Sequence, residues 1–406
     1  MGSLPAKRSL IGPVLIVSPW YRPSVGGVVE CVETQRRLLS EAGVETYVLV
    51  TEEDSGTRLK SHPTEKGVWY LRIPTYFFYS PGLSSAIATL LRAPGALWQL
   101  VQFTRNKGVR TLLVNFPSGY AWAFYVLRRV AKVNLITAFH GIEITKYHEA
   151  TPALRWLTRR MLKNSDAISV CASHMIDLAK SLFPEKQLPI RLMPNSVDIH
   201  HFTLPPHDFN VKNGKPTILH ISVFSPKKRA LDIIEAFAIA DLPAETRLVM
   251  VGEGPDSSRA KELVQRYKLE NRVDFVGAQK DVRPFFWSSD VFVLASEDEG
   301  APLTLLESMA SGVPWVSTPW GAAAVLPDGE CGLTVPPGSP KQLAGALSEM
   351  FHNTERRATM GKRGRARAES DFSGEAYLKR YYQLIEEVER GDRPVAKTAA
   401  FGSSEK

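Results

Sequence analysis

Residues 290–318, DVFVLASEDEGAPLTLLESMASGVPWVST, decide the fold class of this chain. A short apolar run, a polar loop, an amphipathic stretch and a second apolar run follow one another, which predicts the order strand, loop, helix and strand. Pro302 suits the first helical position because its missing N–H would be unpaired there, and Gly312 suits the end of the helix. The stretch therefore predicts a β-α-β unit with parallel strands.

The same alternation runs through most of the chain, beginning with VLIVSPW at 14–20. Strand segments that are apolar without alternation imply parallel sheets covered by helices on both faces. The pattern breaks at 196–217, which is rich in Pro, His, Asn and Gly. We therefore predict an α/β chain with two doubly wound parallel-sheet domains. Its segments are an N-terminal domain over 1–205, a C-terminal domain over 206–373, a helix over 374–391 that packs back toward the N-terminal domain, and a disordered tail over 392–406.

The composition is that of an ordinary globular protein, with 406 residues, 44% apolar and 23% charged. Cys31, Cys171 and Cys331 are widely spaced, which argues against a disulfide framework or a metal site and for a reducing compartment. The N-terminal apolar run is short and contains Pro13, so it is expected to be a buried strand and not a signal peptide. No segment has the roughly 18 apolar residues that span a bilayer. We expect a cytoplasmic chain that is soluble or lies on a membrane surface.

The loop and helix of the opening stretch predict a ligand site. In open parallel sheets, ligands bind at the carboxyl ends of the strands, and with two such domains the natural site is the cleft between them. The first helical turn presents free backbone N–H groups that favour a phosphate or carboxylate. Glu299 lies in the loop and Glu307 one turn into the helix, so two acceptors flank the anion site, as a nucleotide sugar requires. The alternative is two solvated acids that the helix dipole favours.

The residues of this stretch resemble a known signature. EGAPLTLLESMASGVPWVST at 299–318, with seven residues between its two glutamates, is similar to that of the retaining glycosyltransferases of family four. Further matching segments occur in the family order: GGVVECVETQRRLLSEAG at 26–43, FHG at 139–141, MPNSVD at 193–198, FSPKKRALDIIEAF at 224–237, VGEGP at 251–255 and DGECGLTVPP at 328–337. The resemblance covers nearly the whole chain and implies the GT-B fold, in which two Rossmann-like domains face each other across a cleft.

The resemblance implies roles for several C-terminal residues. Lys228 is expected to bind the donor diphosphate and to stabilise charge on the leaving nucleotide. Glu299 is expected to accept hydrogen bonds from the donor sugar, and Glu307 from the ribose hydroxyls. Backbone groups of the intervening loop and helix start are expected to hold phosphate or sugar oxygens; these belong to Gly300, Ala301 and Leu303. The segment 276–280, which includes Gly277, is expected to surround the nucleobase.

In the N-terminal half, the resemblance points to a glycine turn and a histidine. Gly26 and Gly27 follow the first strand and would let backbone amides approach the donor phosphate or the acceptor. His140, in FHG, would lie beside the transferred sugar and position or stabilise it. We therefore expect His140, Lys228 and Glu299 to be the catalytic residues.

The chain departs from the family pattern at three positions. Val223 stands where many members carry an arginine, and Lys227 and Arg229 are the neighbouring cations that could compensate. Ala324 stands where an acidic residue is common, and Trp320 is unusual. These changes bear on the identity of the donor more than on the fold.

No Asp-x-Asp motif occurs, so we expect no metal and no cofactor besides a UDP- or GDP-linked sugar donor. The resemblance implies the mechanism usually proposed for this family, a front-face substitution in which the departing phosphate helps to deprotonate the acceptor. The protein then supplies positioning and charge stabilisation.

The acceptor is expected on the N-terminal domain. Residues 74–110 combine aromatic, aliphatic and flanking cationic side chains, and Arg155, Arg159 and Lys163 share one helical face. With a net charge of +8, such a surface could contact anionic lipid and a lipid-linked or oligosaccharide acceptor. The alternative is a packed helix with a solvated basic side. KRGRAR at 362–367 lacks a recognition fold, so no nucleic-acid partner is expected.

The sequence thus predicts a retaining, metal-independent hexosyltransferase of polysaccharide, lipopolysaccharide or glycolipid synthesis, with peripheral contact to the cytoplasmic face of the inner membrane left open. Three alternatives remain at this point. They are a catalytically silent nucleotide-sugar-binding or scaffold protein, a nucleotide-sugar epimerase of the same fold, and a transferase with a small soluble acceptor such as malate.

Overall fold

The computed structural model describes residues 11–22, 27–51, 57–79, 82–182, 187–207, 209, 214–320 and 326–391. Gly26, Ala324 and the predicted tail over 392–406 lie outside these residues. The described chain forms two compact units. One contains the residues up to Met193 together with those from Leu378 onward, and the other runs from Pro194 to Tyr377.

The units divide earlier in the sequence than residue 205, where composition placed the limit. Residues 197–203 belong to the second unit because its helices hold their backbone. Val197 pairs with Ser373 in an isolated parallel bridge, and Trp287 Nε1 donates a 2.8 Å hydrogen bond to the carbonyl of Thr203. A guanidinium from the same unit, that of Arg365, donates to the carbonyl of Phe202 at 2.7 Å.

The first unit is built on a sheet with the order β3-β4-β2-β1-β5-β6-β7-β8 in the described residues. Its strands are β1 (Val14–Ser18), β2 (Thr46–Val50), β3 (Lys60–Ser61), β4 (Val68–Tyr70), β5 (Thr111–Asn115), β6 (Asn134–Phe139), β7 (Ala167–Val170) and β8 (Ile190–Leu192). All adjacent pairs are parallel except β3 with β4. Every residue of β1 and β5 is buried, as expected for central strands covered on both faces.

Helices of the first unit connect these strands. They are α1 (Gly27–Glu41), α2 (Tyr76–Tyr79), α3 (Leu83–Asn106), α4 (Ala121–Ala131), α5 (Ile142–Thr145), α6 (Pro152–Asn164) and α7 (His174–Ser181). A last helix of the chain returns to this unit through polar contacts. Arg191 donates to Glu387 at 2.8 Å, and Tyr382 donates to the carbonyl of Ala42 at 3.1 Å.

The second unit has a parallel sheet with the order β11-β10-β9-β12-β13-β14 in the described residues. Its strands are β9 (Thr217–Ile221), β10 (Arg247–Val251), β11 (Val273–Gly277), β12 (Val291–Leu294), β13 (Trp315–Ser317) and β14 (Gly332–Thr334). Its helices are α8 (Ala230–Ile239), α9 (Ser257–Arg266), α10 (Arg283–Trp287), α11 (Leu303–Ala310), α12 (Pro340–His352) and α13 (Thr354–Asp371), and α14 (Gly374–Glu389) is the helix that returns to the first unit. Two apolar clusters, one on each face of the sheet, form its core. The predicted α/β class with two parallel-sheet domains is confirmed.

The helix of the opening stretch begins one residue later than predicted. Pro302 has ψ 118° and caps α11 from an extended conformation, so the first helical residue is Leu303. Gly312 adopts φ +73° just beyond the helix, the left-handed conformation for which glycine is suited. None of the helices in the described part of the chain combines the length and apolar character needed to cross a bilayer.

Candidate functional site

Lys228 and Glu299 are brought together at the carboxyl ends of two adjacent strands. Lys228 ends a three-residue helical turn, Pro226–Lys228, that follows β9, and Glu299 lies in the loop that follows β12. Because β9 and β12 pair in the sheet, their loops emerge side by side. The Lys228 ammonium forms an ion pair with the Glu299 carboxylate. The lysine side chain is 26% exposed and the glutamate 13%, so solvent still reaches the ammonium.

The two cations beside Lys228 face other acids. Lys227 Nζ lies 3.7 Å from Asp298, and the Arg229 Nε donates to Asp232 at 2.7 Å. The backbone also joins the two loops, since the amide of Glu297 donates to the carbonyl of Lys227 at 2.8 Å. Lys227 and Arg229 therefore have partners of their own and do not share the Glu299 carboxylate with Lys228.

Two glycines of VGEGP hold the loop that leads to Lys228. A Cβ on Gly252 would lie 1.9 Å from the Ser222 carbonyl oxygen, and one on Gly254 would lie 2.4 Å from that of Phe224. The close approach allows the Phe224 amide to donate to the carbonyl of Glu253 at 3.0 Å. The roles of these two glycines were not predicted, although two glycines after a strand are a signal of close backbone approach.

Val223 occupies the position of the missing arginine and its side chain is mostly exposed. The departure from the family pattern therefore removes a cation and no packing group. Trp320, the other unusual residue described, donates from its indole Nε1 to the Ser296 carbonyl at 3.0 Å. It thereby holds the start of the loop that runs from β12 to Glu299.

The loop and first turn around α11 contain the remaining predicted donor-binding residues of the second unit. Gly300, Ala301 and Leu303 are partly exposed, and Glu307 is half-buried on the helix. The Ala301 carbonyl accepts a 3.1 Å hydrogen bond from Asn195 Nδ2, which fixes the loop before the helix. Asn195 belongs to the segment MPNSVD, and its contact with Ala301 was not predictable because more than 100 residues separate the two in the chain.

Gly277 extends the site to the outer strand β11. It adopts φ +69°, and its carbonyl accepts a hydrogen bond from the amide of Gly252 at 2.9 Å. A Cβ there would lie 3.1 Å from Glu253 Oε1. The carboxyl ends of four adjacent strands, β11, β10, β9 and β12, thus carry Gly277, Gly252, Lys228 and Glu299 in order across one sheet edge.

His140 belongs to the first unit and follows β6. Its Nε2 lies 2.9 Å from Asn115 Oδ1, and its Nδ1 lies 3.8 Å from Cys31 Sγ. Asn115 Oδ1 also accepts from Gln35 Nε2 at 3.1 Å, so it acts as an acceptor and the Nε2 of His140 carries the proton. The ring stacks on Phe116 with centroids 4.0 Å apart. Burial lowers the pKa of His140 to about 3, so the imidazole is neutral at neutral pH.

Glu143 lies beside His140 and was missed by sequence analysis. Its carboxylate accepts hydrogen bonds from the backbone amides of Gly141, at 3.0 Å, and of His140, at 3.4 Å. Burial raises the pKa of the Glu143 carboxyl to about 7, against the opposing effect of these amides. The sequence feature that could have pointed to Glu143 is an acidic residue two positions after the FHG segment.

Gly27 begins α1, and a Cβ on it would meet open space. Its partner in the predicted glycine turn, Gly26, lies outside the described residues. Within the described residues, no group of three or more His, Cys, Asp or Glu side chains is placed to hold a metal ion. Metal independence remains a prediction.

Comparison with known proteins gave two family matches. The model described as glycosyl transferases group 1 matches residues 206–367, and the model described as a glycosyl transferase 4-like domain matches residues 26–196. The two matched regions together span most of the chain.

Three similar proteins illustrate the match. N-acetyl-alpha-D-glucosaminyl L-malate synthase of Bacillus anthracis is 25% identical, over 91% of this chain and 96% of its own length. The lipopolysaccharide core biosynthesis glycosyltransferase LpsE of Rhizobium meliloti is 33% identical, over 42% of this chain and 49% of its own. The crystal structure of HepE from Anabaena in complex with UDP and glucose has a TM-score of 0.72 at 18% identity, covering 92% of this chain and 99% of that one.

Proposed function

Since the chain belongs to the glycosyl transferases group 1 family, and is a retaining glycosyltransferase of the GT-B fold that uses a nucleotide-sugar donor, we propose that its donor is UDP-linked and is bound by Lys228, Glu299 and Glu307. One observation carries this proposal. The Lys228 ammonium and the Glu299 carboxylate meet where strands β9 and β12 end, which is where an open parallel sheet binds its ligand.

Donor binding exchanges the partner of Lys228. The donor diphosphate takes the place of the Glu299 carboxylate on the ammonium, which keeps the cation paired and adds a charge-assisted hydrogen bond. The released carboxylate of Glu299 then accepts hydrogen bonds from hydroxyls of the donor sugar. Glu307, half-buried on α11, accepts from the ribose.

Lys228 supplies the main electrostatic assistance to transfer. As the glycosidic bond to the phosphate breaks, negative charge grows on the leaving nucleotide, and a fixed ammonium nearby stabilises the transition state more than the ground state. The leaving phosphate accepts the proton of the acceptor hydroxyl, so this step needs no protein base.

His140 is assigned the orientation of the transferred sugar. Its Nε2–H is directed to Asn115, its pKa is about 3 and one ring face lies on Phe116. A neutral, engaged imidazole of this kind is a poor general base, so we assign it the orientation of the transferred sugar and no proton transfer.

The solved structure of HepE with UDP supports a UDP-linked donor. The test is thermal unfolding with UDP, GDP and ADP, in the wild-type protein and in Lys228→Ala and Glu307→Ala. A ligand at about 100 times its dissociation constant stabilises by roughly 2.7 kcal/mol. We expect this shift with UDP alone and its loss in both variants, with Lys261→Ala on the exposed surface of α9 as the unaffected control. Equal stabilisation by all three nucleotides, or by UDP in Lys228→Ala, would contradict the assignment.

The acceptor proposed is a lipid-linked or oligosaccharide hydroxyl, and the place of action is the cytoplasmic face of the membrane. The similarity to LpsE, a lipopolysaccharide core glycosyltransferase, supports this choice. The similarity to the malate synthase extends over a larger share of both chains and favours a small soluble acceptor as the second candidate. Mass analysis of products formed with malate and with a lipid-linked saccharide separates the two. A silent binding protein and an epimerase are not favoured, because both family matches are to glycosyltransferases.

A further inference from the structure

The strongest unexplained feature is an apolar stripe on α3. Leu83, Leu90 and Leu91 are 81%, 73% and 77% exposed, and Ile87 and Trp98 are also largely exposed. At 100° per residue these five side chains fall within about one third of the helix circumference. Exposed apolar residues that occur singly need no explanation, whereas a contiguous stripe marks an interaction surface.

Aromatic side chains border the stripe. Tyr76, Phe77 and Tyr79 of α2 are exposed, and the Phe77 amide donates to Thr89 Oγ1 of α3 at 3.3 Å. Helix α2 also contacts α6, on which the exposed Trp156 lies under the guanidinium of Arg160. Aromatic rings next to cations around an apolar face are typical of the interface between lipid and water.

The charged side chains in the segment around α2 and α3 are all basic. Residues 66–142 contain nine Lys and Arg and no Asp or Glu, while the whole chain has a net charge of +8. One of these cations, Arg128, is paired with Asp166, and the other eight give the segment that includes α2, α3 and α4 an excess of positive charge. A surface with this charge is complementary to an anionic partner.

A small cavity next to the stripe is lined by both basic and apolar side chains. It has a volume of about 220 Å³ and follows the carboxyl end of β4, and its lining includes Arg72, Tyr76, Leu91, Arg92 and Gln99. The Arg92 guanidinium donates to Tyr76 OH at 3.1 Å, and neither arginine has a carboxylate partner among the described residues. Leu91 belongs to both the cavity and the stripe, so one ligand with an anionic head and an apolar tail could occupy both.

We propose that the α2–α3 face of the first unit docks on a bilayer of anionic phospholipid, with a lipid phosphate between Arg72 and Arg92 and the stripe in the acyl boundary. The inference deepens the proposed function, on which it rests for the membrane-associated acceptor. An apolar face with a basic border binds such a surface by burial and by charge together. The stripe is too apolar for a nucleic-acid partner, which would need cations along the whole contact.

The test is co-sedimentation of the full chain with vesicles of phosphatidylglycerol and phosphatidylcholine in equal parts, at about 0.1 M salt, a Debye length near 10 Å. We expect strong binding to these vesicles and weak binding to phosphatidylcholine alone. L90S/L91S should weaken binding about a hundredfold, because burial of each leucine contributes about tenfold or more. R92Q should weaken it about fivefold. I239S, which changes another apolar residue that is more than half exposed but lies on α8, is the matched control and should bind like wild type.

Three outcomes would overturn the docking surface. They are no binding of wild type to anionic vesicles, equal loss in I239S, and a dimer in solution that L90S/L91S dissolves without any vesicle binding. Displacement from vesicles by millimolar glycerol 3-phosphate would likewise assign the arginines to a soluble phosphate ligand. UDP-induced thermal stabilisation of the same samples without lipid tests the proposed function separately, because neither leucine belongs to the donor site.

Discussion

At the scale of single residues, the second unit neutralises the cation that we assign to the donor diphosphate with one of its own carboxylates. Lys228 pairs with Glu299, while Lys227 and Arg229 pair with Asp298 and Asp232. The Lys228 side chain is only partly exposed, so a neighbouring carboxylate offsets part of the cost of desolvating its ammonium. In the exchange that we propose, this pairing engages the Glu299 carboxylate until the donor diphosphate takes its place on Lys228.

The pair formed by His140 and Glu143 has a pH signature. Burial raises the pKa of Glu143 from 4.5 to about 7 and lowers that of His140 from 6.5 to about 3. The folded chain therefore binds the Glu143 proton more tightly than the unfolded chain, and its stability falls as pH rises from about 4.5 to 7. For His140 the stability falls as pH drops from about 6.5 to 3, so the two effects oppose each other between pH 4.5 and 6.5.

We predict that Glu143→Gln removes the loss of stability that accompanies the rise in pH from about 4.5 to 7. Between pH 5 and pH 8, wild type should lose about 1–3 kcal/mol of unfolding free energy relative to the variant, which keeps the shape of the side chain without its titration. Urea unfolding at several pH values measures the difference. Parallel pH profiles for wild type and variant would show that Glu143 titrates normally in the folded protein.

At the scale of elements, the position of the site depends on close backbone packing. The loop after β9 packs on the loop after β10, and helix α11 packs on helix α13. The loop after β9 lies on Gly252 and Gly254, and the end of α11 lies against α13. Gly361 of α13 faces the Gly312 carbonyl, which a Cβ would approach to 2.3 Å, and Arg365 donates to the carbonyl of Ala310 at the end of α11. The basic run at 362–367, weighed above as a nucleic-acid motif, therefore includes an arginine that caps the helix bearing Glu307.

We predict that Gly254→Ala weakens donor binding without touching the donor. Its Cβ would meet the Phe224 backbone at 2.4 Å, so the loop that leads to Lys228 must shift. We expect a loss of about 1–3 kcal/mol in stability, as for other overpacked sites, and a several-fold rise in the Kd for UDP. Calorimetric titration and urea unfolding measure the two effects.

Gly345→Ala is the matched control for this substitution. Gly345 lies within α12, and a Cβ there would meet nothing within 4 Å. Alanine should therefore leave UDP binding unchanged and stabilise the helix by up to about 1 kcal/mol. If Gly254→Ala changed neither stability nor the Kd for UDP unfavourably, as expected of Gly345→Ala, the close packing of the loops after β9 and β10 would not position the site.

At the scale of the whole molecule, the sequence was informative where local pattern determines structure. The alternation of strands and helices predicted two parallel sheets, and the family resemblance predicted that Lys228 and Glu299 act on one donor. Their direct ion pair was not predictable, because it depends on β9 lying beside β12 although more than 60 residues separate the two strands in the chain. The aromatic and aliphatic content of 74–110 was visible, but which face of α3 stays exposed is decided by its packing on the sheet.

The central claim is that the diphosphate replaces Glu299 on Lys228, and calorimetric titration of UDP and UDP-glucose into three proteins tests it most directly. Lys228→Ala should raise the Kd for UDP about tenfold or more, since it removes a charge-assisted hydrogen bond. Glu299→Gln frees the ammonium, so UDP should bind as tightly as to wild type or more tightly, while any additional affinity of UDP-glucose over UDP is lost. If Glu299→Gln weakened UDP binding as much as Lys228→Ala does, the ion pair would be a structural unit and the exchange of partners would be wrong.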